Sequence, residues 1–274
     1  MAQAKIALII LNWNGLKDTL ECLSSLSKSD RQDTTVYVVD NHSSQDEAAV
    51  IAGLHPWVKV IRNSANLGFS GGNNVGIKAA LKDHAQSVIL LNNDTQVAPD
   101  TLAKLVAASI KYHFDIASPK IYFYKGREFH PVPAPEQGKI IWYAGGIMDW
   151  ANVIATHRGV NEFDHGQYDR AEATDFATGC CMFIAKQLFA RIGFLDEAFT
   201  AYYEDNDFCQ RAHRAGFKIG YLPQSHLWHR NASATGGSGS TVQNPLIKKS
   251  RLTFALRHAP PRAKIALLRE HFFS

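Results

Sequence analysis

Four runs of apolar residues in the first hundred positions of the chain each end at a polar residue or a turn signal. They cover residues 5–12, 36–40, 58–61 and 87–91. Continuous apolar runs of this length are typical of strands that are buried on both faces of a parallel sheet. Segments of helical length lie between them, at residues 16–27, 45–54 and 73–83. Because strands alternate with helices, this part of the chain predicts an α/β fold with a central, mostly parallel sheet.

Local signals predict where two of the helices begin. Ser44 and Glu47 have the spacing of a capping box, which predicts the start of the second helix. Pro99 in a first turn and Asp100 near a positive helix end predict a fourth helix that runs to about Tyr112.

The alternation of strands and helices ends after Pro119. Residues 125–138 contain three prolines and two glycines, and the second half therefore predicts a mixed arrangement. Its predicted elements are apolar segments at residues 140–147 and 181–185, a helix at 205–215 and a strand at 218–222. Residues 231–240 are rich in Gly, Ser and Ala and predict a mobile loop.

Composition narrows the class of protein. The chain has 274 residues, of which 46% are hydrophobic, and this excludes disorder as its main state. Its longest uninterrupted apolar run, residues 6–11, is far shorter than a membrane-spanning helix needs, so we expect a cytoplasmic protein. The four cysteines form no C-x-x-C pair, which argues against a zinc ribbon or a disulfide framework.

Positive charge is concentrated in the C-terminal tail. From Lys248 onward there are seven basic residues and one acidic residue, so the tail carries a net charge of +6 and the rest of the chain −2. A body without a basic surplus argues against nucleic-acid binding. Apolar residues alternate with the basic ones in the tail, so it could lie on an anionic membrane surface. The alternative is a pair of helices packed on the core with basic outer faces.

Three polar clusters directly follow predicted strands. They are Asn12-Trp13-Asn14, Asp40-Asn41 and Asn92-Asn93-Asp94-Thr95. Open parallel sheets bind ligands at the carboxyl ends of their strands, where such groups can hold a base, a ribose and a metal ion. The alternative is that these residues only end strands and cap helices.

A glycine-rich stretch, residues 66–74, leads into the third helix. Its amides could meet a phosphate or a ribose. Gly71 and Gly76 have the spacing of a P-loop, but Ile77 stands where the lysine belongs, and no G-x-G-x-x-G follows the first strand. These departures argue against an ATPase and a Rossmann dehydrogenase, and a flexible turn packed under the helix is the alternative.

Acidic residues and one histidine supply candidate chemistry. Asp94 is suited to a hard divalent cation that is shared with a diphosphate. Glu204 and Asp205 lie at the start of a predicted helix, and Asp205 falls on its buried stripe, as a general base in a cleft would. Tyr202 and Tyr203 beside them offer flat surfaces for sugars. His229 follows the last predicted strand and could bind a metal.

These motifs, in this order, resemble the family 2 inverting glycosyltransferases of the GT-A fold, particularly the bacterial rhamnosyltransferase-like branch. The resemblance covers about residues 5–235 and is carried by residues 9–14, 38–43, 66–69, 72–73, 90–94, 193–197, 203–207 and 228–229. It implies a Rossmann-like nucleotide-sugar-binding half at 1–118. An acceptor-binding and catalytic half of the same domain would follow at 119–242, and a basic amphipathic helical tail at 243–274.

The resemblance also implies roles for single residues. Asp205 would be the catalytic base with Glu204 as its neighbour, Asp40 would read the pyrimidine of the donor, and Asp94 and His229 would bind Mn²⁺ or Mg²⁺. The other residues of the implied nucleotide site are Asn12, Asn66, Gly68, Asn73, Asn92 and Asn93. Asn92 stands where the family has the first acid of its DxD metal motif.

The implied reaction transfers a sugar, with inversion, to a hydroxyl of a glycan or a lipid-linked glycan in cell-surface polysaccharide synthesis. The donor would be dTDP-rhamnose or otherwise a UDP-sugar. The enzyme would work in the cytoplasm, including the inner face of the cell membrane. Two alternatives stay open, namely a catalytically silent sugar-nucleotide or glycan-binding protein and a sugar-nucleotide pyrophosphorylase.

Overall fold

The computed structural model describes residues 5–30, 33–231 and 243–273, and helices pack on a ten-stranded sheet. The strands are β1 (Ile6–Asn12), β2 (Thr34–Asp40), β3 (Lys59–Arg62), β4 (Ser87–Asn92), β5 (Thr95–Val97), β6 (Ile116–Phe123), β7 (Ile141–Tyr143), β8 (Gly146–Asp149), β9 (Ile154–His157), β10 (Glu172–Ala173), β11 (Cys181–Ala185) and β12 (Ile219–His229). The helices are α1 (Leu16–Ser27), α2 (Glu47–Leu54), α3 (Gly68–Lys82), α4 (Thr101–Tyr112), α5 (Gln187–Ile192), α6 (Glu204–Arg214), α7 (Gln243–His258) and α8 (Pro261–Phe273).

The predicted α/β fold is confirmed. Strands β3, β2, β1 and β4 are parallel neighbours in that order, and the apolar centre of β1 is completely buried. Beyond β4 the order continues β11, β6, β12 and β10, where β11 is antiparallel to both of its neighbours. β6 runs through residue 118, at which the sequence divided the two halves, so both halves contribute to one sheet.

The glycine-rich stretch is helical. Helix α3 begins at Gly68, five residues before the predicted start, so the flexible-turn interpretation is wrong. A Cβ atom on Gly72 would lie 2.4 Å from Leu11 Cδ1, and one on Gly76 would lie 2.5 Å from Ile9 Cγ2. A side chain at either position would displace Leu11 or Ile9, so glycine lets the helix pack closely on β1.

Two further predicted helix starts are wrong. Asp46, and not Ser44, caps α2 by accepting a hydrogen bond from the Ala49 amide (3.3 Å). Glu47 turns away from the cap toward Asn12. Helix α4 begins at Thr101, two residues after Pro99, because residues 95–97 form the unpredicted strand β5.

The last strand is longer than predicted. β12 continues past Leu222 to His229, with an irregularity in its pairing with β6 between Leu222 and His226. This extension pairs with β5.

The C-terminal helices pack on the body of the protein. Phe254 is completely buried, and Ala259 and Leu267 are nearly so, in a cluster that includes Phe199 and Tyr203. Of the two interpretations of the tail, helices packed on the core therefore describe the structure of residues 243–273. None of the helices in the described ranges is both long and apolar enough to cross a bilayer. Residues 232–240 of the predicted mobile loop lie outside the described residues.

Candidate active site

The carboxyl ends of β1, β2 and β4 lie side by side at one edge of the sheet. Asn12 is opposite Asp40 in the register, and Leu11 is opposite Asn92. The three polar clusters that follow these strands are thereby brought together. Asn12 and Asp40 are completely buried.

Among the described residues, the hydrogen bonds to the Asp40 carboxylate all reach the same oxygen. Oδ1 accepts from Asn12 Nδ2 (3.2 Å) and from the amide (3.3 Å) and hydroxyl of Ser43. Oδ2 receives no hydrogen bond from the described residues, although Arg62 Nε lies 3.4 Å away. Arg62 was not predicted as a site residue, although its position directly after the third apolar run is a signal that could have identified it. Asp40 is thus held in place with one acceptor left for a ligand.

Asn12 supports Asp40 from within the protein. Its Nδ2 also donates to Glu47 Oε2 (2.8 Å), and its Oδ1 accepts from the Thr19 hydroxyl (2.6 Å). The amide of Asn12 is therefore used by protein groups on both sides. Neither Thr19 nor Glu47 was predicted for this site; the sequence assigned Glu47 to a capping box of α2, and no sequence pattern marks Thr19.

Asn66 and Gly68 shape the turn that enters α3. Asn66 Oδ1 accepts from the Gly68 amide (2.9 Å) and from Asn41 Nδ2 (2.8 Å). Gly68 has φ +69°, and a Cβ there would lie 2.9 Å from the Thr200 carbonyl oxygen, so this position requires glycine. Asn73 is buried in the helix, where its Nδ2 donates to the carbonyl one turn earlier (3.0 Å).

Asp94 and His229 face each other. Strands β5 and β12 pair so that His229 is opposite Thr95, and His229 Nε2 lies 3.0 Å from Asp94 Oδ1. Both side chains are buried. Two residues that are far apart in the sequence, and to which the resemblance assigns the metal ion, are therefore in contact. The neighbouring Asn93 donates through Nδ2 to the Thr19 hydroxyl (3.0 Å).

The Asp94–His229 pair fits a divalent cation that takes further ligands from elsewhere. Within the described residues no group of three or more His, Cys, Asp and Glu side chains could hold a metal. His229 Nδ1 is buried and has no hydrogen-bond partner in the same residues. A carboxylate and an imidazole suit Mn²⁺, and the remaining positions suit diphosphate oxygens and water. Asn92, which is half-buried, adds no charge here.

The Trp142 ring packs against His229. Its ring lies between two imidazoles, with centroids 4.5 Å from His229 and 4.3 Å from His157. Burial lowers the pKa of His157 to about 4, so this imidazole is neutral at physiological pH. Trp142 is half-buried and was not predicted, because its place beside β12 depends on the insertion between β6 and β10.

Glu204 and Asp205 lie in the first turn of α6. The helix follows Tyr202 and Tyr203, two consecutive non-glycine residues with φ of +66° and +64°. Two such residues in succession are uncommon and store strain. The expected sugar-stacking role of Tyr203 is wrong, because its ring is buried against Phe254 (centroids 5.3 Å apart).

The two carboxyl groups have different surroundings. Glu204 is buried, and its Oε2 has no hydrogen-bond partner among the described residues. Burial and the charge of Asp205 raise the pKa of Glu204 well above its ordinary value. Burial also raises the pKa of Asp205, while hydrogen bonds from the Gly179 amide (3.0 Å) and Asn206 oppose this effect.

Residues 179–180 bridge the acidic helix and the end of β4. The Gly179 amide donates to Asp205 Oδ2 (3.0 Å), and the next carbonyl, that of Cys180, accepts from the Asn92 amide (2.9 Å). Asp205 is therefore one short loop away from the turn that carries Asp94. Gly179 was not predicted, since it lies in neither a polar cluster nor an acidic one.

The sequence also matches a known family model. A model described as glycosyl transferase family 2 matches residues 7–193, which is more than half of the chain. The chain belongs to glycosyl transferase family 2. This membership sets aside the pyrophosphorylase alternative.

Curated proteins and solved structures include several relatives of this family 2 protein. It is 29% identical over 216 residues, or 78% of its length, to the low-salt glycan biosynthesis hexosyltransferase Agl10 of Haloferax volcanii. It is 23% identical over 86% of its length to the N-acetylglucosaminyl-diphospho-decaprenol L-rhamnosyltransferase of Mycobacterium tuberculosis, 80% of which is covered. The crystal structure of GalNAc-T7 with UDP, GalNAc and Mn²⁺ superposes with a TM-score of 0.68 at 20% identity over 98% of the chain. The chain spans 64% of the Haloferax protein and 54% of the GalNAc-T7 chain.

The third carboxylate of α6 connects this helix to the C-terminal helix α7. Asp207 Oδ2 accepts from Arg211 Nε (2.7 Å), and its Oδ1 lies 2.7 Å from His258 Nε2 at the end of α7. Burial would raise the pKa of Asp207, but His258 and Arg211 more than offset it and lower the pKa below its ordinary value. Ser250 of α7 also donates to the Ala201 carbonyl (2.8 Å). Helix α7 therefore holds the segment that leads into Glu204 and Asp205.

Proposed function

We propose that the protein is an inverting, metal-dependent glycosyltransferase that moves a sugar from a pyrimidine nucleoside diphosphate to a hydroxyl of a glycan or lipid-linked glycan. The first candidate donor is dTDP-rhamnose, and a UDP-sugar is the other; the pathway would be cell-surface polysaccharide synthesis. The observation that carries the proposal is the bridge of residues 179–180, which ties Asp205 to the strand end beside Asp94.

Asp40 would recognise the base of the donor. Its Oδ2 is the acceptor left over by the internal hydrogen bonds, and thymine and uracil both present an N3–H donor. The other residues proposed for the nucleotide site are Asn12, Asn66, Gly68, Asn73, Asn92 and Asn93. The choice of rhamnose is supported by the similarity to the Mycobacterium rhamnosyltransferase.

Asp94 and His229 would hold Mn²⁺ or Mg²⁺ together with the donor diphosphate. A cation bound there neutralises negative charge on the departing nucleoside diphosphate. The Mn²⁺ in the GalNAc-T7 structure supports this assignment by analogy of fold.

Asp205 would act as the general base in a single displacement. Its carboxylate takes the proton of the acceptor hydroxyl while the hydroxyl oxygen forms a bond to the anomeric carbon. The bond from that carbon to the diphosphate oxygen breaks on the opposite side, and its electron pair leaves with the nucleoside diphosphate. Anomeric configuration is therefore inverted. A raised pKa strengthens Asp205 as a base, and Glu204, which holds its proton more firmly, limits repulsion beside it.

For the location we propose the cytoplasm, because all four cysteines are free and buried, as is usual in a reducing compartment. Contact of the tail with an anionic membrane surface stays a proposal that rests on the exposed Lys248, Lys249 and Arg262. Failure to sediment with anionic liposomes at any salt concentration would contradict it.

The proposed function is tested by thermal unfolding with dTDP, UDP, GDP, ADP or NAD, each with and without Mn²⁺. A ligand at about 100 times its Kd adds roughly 2.7 kcal/mol, which raises Tm by several degrees in a domain of this size. We expect a metal-dependent rise with dTDP or UDP only. In Asp94→Ala the metal-dependent part should disappear, whereas Asp83→Ala, an exposed carboxylate at the end of α3, should behave like the wild type.

Absence of a shift with every nucleotide contradicts the proposed donor site. Slow donor hydrolysis without an acceptor separates the enzyme from a catalytically silent binding protein. Release of sugar from the bound donor supports the enzyme, and a donor that binds and stays intact with or without acceptors supports the silent alternative.

A further inference from the structure

Thr19 connects the two ends of the candidate donor site through buried hydrogen bonds. It lies on α1 and is completely buried. Its hydroxyl donates to Asn12 Oδ1 (2.6 Å), and Asn93 Nδ2 donates to it (3.0 Å). Asn12 in turn donates to Asp40, and Asn93 precedes Asp94. One side chain therefore links, through Asn12, the carboxylate proposed to recognise the nucleotide base and, through Asn93, the turn proposed to hold the cation.

The direction of these hydrogen bonds is fixed by charge. Asn12 Nδ2 lies 2.8 Å from a Glu47 oxygen and 3.2 Å from an Asp40 oxygen, so the amide nitrogen must face these carboxylates. Asn12 Oδ1 then faces Thr19 and accepts the hydrogen bond that the Thr19 hydroxyl donates with its single proton. The lone pairs of the same hydroxyl are left for Asn93. If the Asn12 amide were flipped, its oxygen would face both carboxylates and could donate to neither. The donor and acceptor in each of these hydrogen bonds are therefore fixed.

We infer that Thr19 is a positioning residue that couples recognition of the pyrimidine ring at Asp40 to diphosphate and cation binding at the Asp94 turn. The inference rests on the proposed function, because it names how the two parts of that donor site are held together. Thr19 lies beneath the site and acts only through Asn12 and Asn93.

Loss of the hydroxyl affects both ends. Asn12 Oδ1 loses its donor, so the amide that orients Asp40 is less firmly held. Among the described residues, Asn93 Nδ2 then keeps one long contact, with the Gly15 carbonyl (3.5 Å). A base with an N3–H donor, such as uracil, should then lose its advantage over cytosine, whose N3 is an acceptor. The gain in affinity that a cation gives should fall in the same variant.

The test is calorimetric titration of UDP and CDP, with and without Mn²⁺, into the wild type, Thr19→Val and Thr19→Ser. We expect Thr19→Val to lower the UDP to CDP affinity ratio and the Mn²⁺ enhancement of UDP binding by about tenfold each, the scale of one lost buried hydrogen bond. Thr19→Ser keeps the hydroxyl and should restore both ratios. Thr101→Val is the matched control, since Thr101 is equally buried and donates to the His226 carbonyl (2.7 Å) in the first turn of α4.

The possible outcomes are distinct. A Thr19→Val protein with both ratios of the wild type overturns the inference, and so does one in which only one of the two ratios falls. An equal loss for UDP and CDP, shared by Thr101→Val, means a merely structural role and also overturns it. If the wild type binds no nucleotide, the proposed function fails and the inference with it. Thr19→Ala gives the same comparison if the valine variant does not fold.

Discussion

Asp40 and Glu204 are both buried carboxyl groups of the candidate site, but their surroundings differ. Asp40 Oδ1 receives hydrogen bonds from Asn12 and Ser43, and Arg62 Nε lies 3.4 Å from Oδ2. Glu204 Oε2 receives no hydrogen bond from the described residues, and the pKa of Glu204 is raised well above its ordinary value by burial and by the charge of Asp205. The carboxylate on the nucleotide side is therefore held by hydrogen bonds and lies beside a cation, whereas the catalytic side places two carboxyl groups with raised pKa values next to each other. The first arrangement suits rigid recognition, and the second suits proton transfer.

The largest effect is expected for Asp205→Asn. The amide keeps the shape of the side chain but cannot take a proton, so kcat should fall by about 10² to 10⁴, the usual contribution of a general base. Nucleotide affinity should stay the same, because Asp205 is assigned to proton transfer and not to nucleotide binding. Steady-state transfer kinetics and nucleotide titration check both parts, with Asp83→Asn as the exposed control. Undiminished turnover would remove Asp205 from the role of base.

The second prediction compares Glu204 with Asp207, another carboxyl group of the same helix. Each oxygen of Asp207 has a hydrogen-bonding partner, Arg211 for one and His258 for the other, so Asp207→Asn should destabilise the fold by about 1–3 kcal/mol, or about 3–10 °C in Tm. The pKa of Asp207 is lowered in the folded protein. Its contribution is therefore present above the ordinary aspartate pKa and is lost as the pH falls through the folded value.

Thermal unfolding followed by circular dichroism from pH 7.5 down to pH 3 checks this expectation. The Tm deficit of Asp207→Asn should shrink in acid. A constant deficit at all pH values would mean that packing, and not the charge of Asp207, stabilises the contact with α7.

The smallest effect should have the opposite sign. The pKa of Glu204 is raised, so the folded protein binds its proton more tightly than the unfolded chain does. Wild-type stability is then fully present below the ordinary glutamate pKa and is lost as the pH rises toward the folded value. Glu204→Gln does not ionise, and it should gain about 2–4 °C in Tm at pH 7.5. The gain should vanish near pH 4, and a gain that persists there would contradict the assigned cause.

Much of the parallel half could be predicted because its strands are continuous apolar runs with helices of ordinary composition between them. The bounds of α1 agree residue for residue with the sequence prediction, at Leu16–Ser27. The glycines and asparagines of α3 disfavour a helix by intrinsic propensity. They are helical here because Gly72 and Gly76 pack on β1, a tertiary contact that no local pattern records.

The same distinction applies to the site. Asp40, Asn92 and Asp94 could be found because they follow strands directly. β5 and the end of β12 could not, since three residues carry too little pattern and Pro223 interrupts the last strand. The contacts that hold the site in shape, such as those of Thr19 with Asn93 and of Gly179 with Asp205, join residues that are distant in the sequence. The roles assigned to single residues stay predictions until the variants above are measured.

The path of β6 has a consequence for recombining relatives of this protein. The strand pairs with β11 through residues 116–117, with β7 through residues 121–122 and with β12 along its whole length, so its pairings lie on both sides of residue 118. A hybrid enzyme joined at that residue would combine two parental sequences within one strand and divide its ladder with β12 between them. A crossover in the proline-containing connection at 125–138 would keep β6 whole and exchange the surface that carries Trp142 as a unit.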